Sequence, residues 1–103
     1  IDAVFTQDDG MALGVLQAIN EAGRDDIQFI TGAGGAKEVF ENMQEDGLIT
    51  ATFLYSPTMV EDGVKIAAQL AQGENPAETL VVKEATQVTK DNVEEYYDPD
   101  SKF

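Results

Sequence analysis

Asp2-Ala3-Val4-Phe5-Thr6-Gln7-Asp8-Asp9-Gly10-Met11-Ala12-Leu13-Gly14 is the stretch that decides the fold. Residues 2–6 read as a short buried strand. Ala12, Val15, Leu16 and Ile19 then recur at helical spacing. Between them lies an acidic pair, and either Asp8 or Asp9 can cap the helix through a side-chain oxygen while the other faces the crevice beyond the strand. Gly23 stands where that helix should stop, before the polar turn Arg24-Asp25-Asp26.

The same alternation continues outward. Residues 27–31 read as a second strand, apolar enough for burial on both faces of a parallel sheet. Gly32-Ala33-Gly34-Gly35 leads into a second helix with the stripe Ala36, Val39, Phe40, Met43, closed by Asp46-Gly47. Residues 48–55 form a third strand rich in β-branched and aromatic residues. Ser56 and Pro57 suit the start of a third helix whose stripe is Val60, Val64, Ala67 and Leu70. Residues 79–83 are expected as a fourth strand, and Thr89 to Asn92 as the cap of a last short helix. Glu94 to Asp98 read as a solvated terminus, and Met43 and Met59 as core. The order β-α-β-α-β-α-β-α implies an α/β fold, a parallel sheet with flanking helices. Ligands of such sheets sit beyond the carboxyl ends of the strands, which singles out Gln7 to Asp9, Gly32 to Gly35, and Tyr55.

Composition removes several functions. Twenty acidic residues against six basic ones give a net charge of -14, which repels nucleic acid and anionic lipid. The chain has no Cys and no His, so it lacks a thiolate nucleophile, the commonest general base and the commonest metal ligand. No nucleophile–base pair is visible and no enzyme, cofactor or resident metal is expected. No apolar run approaches the about 20 residues of a membrane span, so no membrane insertion is expected in this segment. The chain opens at Ile1 inside a strand-like run without a Met, which reads as a fragment.

The three loops carry different chemistry. Adjacent acids after a first strand resemble the magnesium site of response-regulator receiver domains, but those need a third Asp at a later strand end, where this chain has Tyr55. The glycine-rich loop lacks both nucleotide patterns: Lys37 stands where the dinucleotide motif needs a small residue, and no Gly-Lys-Ser/Thr follows. A tight turn or a close backbone approach accounts for the glycines, and also leaves room for a ligand. Tyr55 is either a half-buried rim residue or a stacking surface for a sugar ring.

Phe5 to Gly14, with Gln7-Asp8-Asp9 and Met11-Ala12-Leu13-Gly14, resembles a stretch of the ribose-binding-protein-like periplasmic sugar receptors. Ala18 to Gly23, Asp46-Gly47 to Thr52, and Lys90-Asp91-Asn92-Val93 resemble further motifs of that family in the same order. The resemblance implies the C-terminal part of a type I periplasmic binding protein, whose two α/β lobes close on a ligand. Residues 1–55 would belong to the C-terminal lobe, 56–75 would be a crossover helix, and 79–103 the final strand and tail. It also implies a solute-binding component of an ABC-type sugar importer, extracytoplasmic, with a membrane permease as partner. Asp8 occupies the place of a ligand-binding Asn, Gly34 that of a sugar-binding Asp, and Tyr55 that of a Gln in the ribose receptors. These three are the expected ligand-binding residues, and the departures point to another small sugar, a polyol or another small polar ligand. The effector-binding domain of a lac-repressor-type regulator has the same fold and is the alternative.

Overall fold

A computed structural model describes residues 1–56, 58–76 and 85–101. Two compact units divide the chain, one of Ile1–Leu54 with Thr86–Phe103 and one of Tyr55–Ala85.

The first unit is built on a sheet of β1 (Ala3–Phe5), β2 (Phe29–Thr31), β3 (Ile49–Leu54) and β4 (Thr86–Thr89), in that spatial order. β1, β2 and β3 run parallel, as the β-α-β-α-β reading requires. β4 is antiparallel to β3, pairing Thr52 with Val88, so the sheet is mixed. The strand expected at 79–83 lies outside the described residues.

α1 (Asp9–Ala22) and α2 (Lys37–Gln44) connect the parallel strands. α1 ends at Gly23, whose left-handed φ of 61° lets its N–H reach the Asn20 carbonyl. α2 gives way to Asp46, the one non-glycine residue with positive φ among those described. Asp adopts that conformation more readily than most residues because its short polar side chain can hydrogen-bond locally. The Asn42 side chain then accepts from Ile49 N–H at 3.0 Å and sets the start of β3.

The core lies between these helices and one sheet face: Ala12, Ile19, Val39, Phe40 and Met43 meet Ile30, Ile49 and Val88. Strand alternation sends Phe5, Phe29 and Phe53 to the opposite face, where all three are exposed. The expectation that residues 27–31 are buried on both faces is therefore corrected. A continuous apolar run reports strand formation, but burial needs a second layer, and the described residues place their core helices on one face.

Of the expected solvated terminus, Glu94, Glu95, Tyr96 and Asp98 are exposed, and Tyr97 is half-buried. Val93 is buried at the start of a short 3₁₀ turn, Val93–Glu95. Asn92 caps the approach, accepting from Thr89 N–H at 2.8 Å and donating to the Gln87 carbonyl at 3.1 Å. Tyr97 then donates its hydroxyl to Glu41 at 3.0 Å. Lys37 reaches the Pro99 carbonyl, and Lys90 pairs with Asp46. The tail from 90 to 99 thus runs against α2.

In the second unit, α3 (Met59–Ala71) starts after Thr58, whose N–H is 3.3 Å from the Ser56 hydroxyl, so the helix begins later than the Ser56 cap implied. None of its residues is buried; Val64 of the apolar stripe is 64% exposed, and Met59 is exposed too, against its assignment to the core. Helical periodicity identifies an apolar face, not what packs on it.

Candidate ligand-binding site

The site is built where β1, β2 and β3 end together. Thr6 follows β1 and donates its backbone N–H to the Thr31 carbonyl at 3.0 Å. Its hydroxyl lies 2.8 Å from the same oxygen and 3.0 Å from the Asp8 carbonyl. This buried threonine ties the turn carrying the acidic pair to the end of β2.

The two acids then divide their labour. Asp8 is the N-cap of α1: its Oδ1 accepts from Gly10 N–H at 2.7 Å, and its backbone is extended. Among the described residues this is the only bond its carboxylate makes, and the side chain is half-buried.

Asp9 turns inward and is 3% exposed. Its Oδ2 accepts from Gly35 N–H and Ala36 N–H, both at 2.7 Å. Its Oδ1 accepts from the Thr52 hydroxyl at 2.7 Å, and its own N–H donates to the Ala33 carbonyl at 2.8 Å. The N-cap position of α2 is Ala36, which has no side-chain oxygen to serve as the cap. Asp9 supplies that cap from another helix, and its negative charge suits the positive end of the α2 dipole. With both oxygens engaged, Asp9 is not available as the second carboxylate of a receiver-type magnesium site.

The glycines are explained by this contact. A Cβ on Gly32 would lie 2.2 Å from Asp9 Oδ1, and one on Gly35 would lie 2.2 Å from a Leu54 methyl. Gly34 has φ of 131° and donates its N–H to the Phe53 carbonyl at 3.0 Å, forming a parallel bridge to Leu54. The loop is a close-approach turn, with no side chain at 34 to obstruct a ligand.

Of the three expected ligand residues, Asp8 and Gly34 are brought to the same edge of the first unit, linked through Asp9. Tyr55 is the first residue of the second unit, directly after β3, and is 50% exposed. Asp9 is the residue that sequence reasoning undervalued. The available signal was a helix start at Ala36 lacking a Ser, Thr, Asp or Asn, which demands a cap from elsewhere.

Known proteins resemble this chain in sequence and in fold. Residues 1–75 match the sequence profile of the periplasmic binding protein domain family. A xylitol-binding protein of Mycolicibacterium smegmatis is 33% identical over 94 residues, covering 91% of this chain and 26% of that protein. A ribose import binding protein of Salmonella typhimurium is 36% identical over 75 residues, covering 72% of this chain and 25% of that protein. The chain therefore spans about a quarter of the length of these relatives. An ABC transporter solute-binding protein of Bacillus halodurans, solved with bound myo-inositol, superposes with a TM-score of 0.70 at 33% identity, over 93% of this chain and 33% of that one. The binding component of the arabinose transporter of a Shewanella species, solved with L-arabinofuranose, gives 0.68 at 30% identity, over 93% of this chain and 32% of that one.

Proposed function

The chain belongs to the periplasmic binding protein family, and on that premise we propose that it forms part of the solute-binding component of an ABC-type importer. Its ligand is a small sugar or polyol, held between two lobes and passed to a membrane permease outside the cytoplasm. The observation that carries this reading is the glycine-rich loop that Asp9 fastens at the carboxyl edge of the sheet, next to Asp8 at the start of α1. The relatives named for xylitol and ribose, and the neighbours solved with inositol and arabinofuranose, supply the ligand class.

The chemistry is selective capture without bond making. The Asp8 carboxylate has lone pairs beyond the one that caps α1, and a carboxylate accepts ligand hydroxyls through charge-assisted bonds, about twice as strong as neutral ones. Gly34 leaves the space, and Tyr55 offers an aromatic face or its hydroxyl. A site shaped to accept hydroxyls rejects analogues lacking them, because its own polar groups would be left unpaired. In this reading residues 1–55 lie in the C-terminal lobe, 56–75 form a crossover helix and 79–103 the final strand and tail. The lobes close by a hinge and exclude water, and the permease reads the closed form.

Asp8→Ala tests the reading in the full-length protein. Calorimetric titration with xylitol and D-ribose should show binding weakened by about 1.5–3 kcal/mol, the range for a bond to a charged group. An unchanged affinity removes Asp8 from the site.

A further inference from the structure

The acid that carries most of the hydrogen bonds at this edge is not the one placed against the ligand. We infer that Asp9 is the positioning residue of the site: its carboxylate fixes the loop that carries Gly34 and the turn that carries Asp8. The inference rests on the sugar- or polyol-binding reading above and adds a residue to it.

Asp9 holds the loop on both sides of Gly34. Its N–H binds the Ala33 carbonyl, and its Oδ2 binds the Gly35 and Ala36 amides. Gly34 itself is tied to Phe53 in β3. The other carboxylate oxygen reaches Thr52 in the same strand, two residues before Leu54, the bridge partner of Gly34. Thr52 is fully buried and fixed by the sheet, so it is the anchor and Asp9 the link. Asp8 is the adjacent residue, and its cap geometry follows from where Asp9 starts α1.

A binding constellation works only when its members are held to within about 0.5 Å by a supporting set of hydrogen bonds. Glycines at 32, 34 and 35 give this loop little stiffness of its own. The stiffness comes from Asp9, and the absence of a side chain at Gly32 lets its carboxylate sit against that backbone.

Three variants of the full-length protein test this by calorimetric titration with xylitol, D-ribose, myo-inositol and L-arabinose. Thr52→Val removes the anchoring hydroxyl at constant shape, Asp9→Asn replaces one acceptor by a donor, and Thr52→Ser keeps the hydroxyl. The dissociation constant should rise about tenfold in the first two and stay within about threefold in the third, with stoichiometry equal to the folded fraction measured by circular dichroism. If Asp9→Asn does not fold, Thr52→Val decides. A merely structural role would lower the stoichiometry with the folded fraction and leave the dissociation constant alone, which overturns the inference. If the unsubstituted protein binds none of the four probes, the binding reading is overturned and the inference with it; if it binds and the variants match it, the inference alone fails.

Discussion

The Asp9 carboxylate and the Thr52 hydroxyl are 43 residues apart in sequence and 2.7 Å apart in the structure. Through this bond the start of the first helix is fastened to the middle of the third strand. Both groups are buried, and among the described residues no buried side-chain polar atom lacks a partner.

The first prediction concerns stability. Asp9→Ala strands the Gly35 and Ala36 amides and the Thr52 hydroxyl at once, and should cost about 3 kcal/mol or more. Thr52→Val strands only one carboxylate oxygen and should cost about 1–3 kcal/mol. Urea denaturation measures both. Equal and negligible losses would mean that water replaces these bonds freely.

The second prediction separates glycines by their surroundings. Gly35→Ala drives a Cβ against Leu54 at a positive φ of 89°, and should cost about 1–3 kcal/mol by overpacking, with backbone strain added. Gly14→Ala, in the interior of α1 with no atom within 4 Å of the new Cβ, should instead stabilise by about 0.5–1 kcal/mol. Thermal unfolding of the pair checks the opposite signs.

The third prediction concerns alkali. The hydrogen bond from Tyr97 to the Glu41 carboxylate raises the phenol's pKa above its usual 10, with burial and the neighbouring charges adding to the effect. The folded state therefore holds this proton more tightly than the unfolded state. Its contribution is full below pH 10 and is lost as pH rises through the higher folded value. Ultraviolet titration should show one of the three tyrosines ionising late. In Glu41→Gln that late step should move back toward 10.

The fourth prediction concerns acid. The side-chain bond from Arg24 lowers the Asp26 carboxyl to about 2. Its contribution is present above the ordinary 3.8 and is lost as pH falls toward 2. The pair is exposed, so the effect should be small and salt-sensitive. A carboxyl resonance for Asp26 titrating near 3.8 by NMR would contradict it.

Local signals made the parallel half of the fold legible. The acidic cap, the stripe Ala12 and Ile19, the stop at Gly23 and the glycine loop each report on neighbours a few residues away, and each is in place. The antiparallel β4 was not legible, because strand direction depends on where the chain has travelled since the previous strand. The docking of Tyr97 on α2 was hidden for a similar reason: its partner Glu41 is 56 residues away. At the site, sequence identified the acidic pair but not which member faces inward. That choice is made by the Ala36 helix start and the Thr52 hydroxyl, neither of which lies near the pair in sequence.

If this edge holds a small sugar or polyol, thermal unfolding of the full-length protein with D-ribose, xylitol, myo-inositol and L-arabinose will reveal it. A ligand present at about a hundred times its dissociation constant adds about 2.7 kcal/mol to the folded state, enough to raise Tm by several degrees. Tm should rise selectively with at least one of the four. A folded protein whose Tm moves with none of them would contradict it.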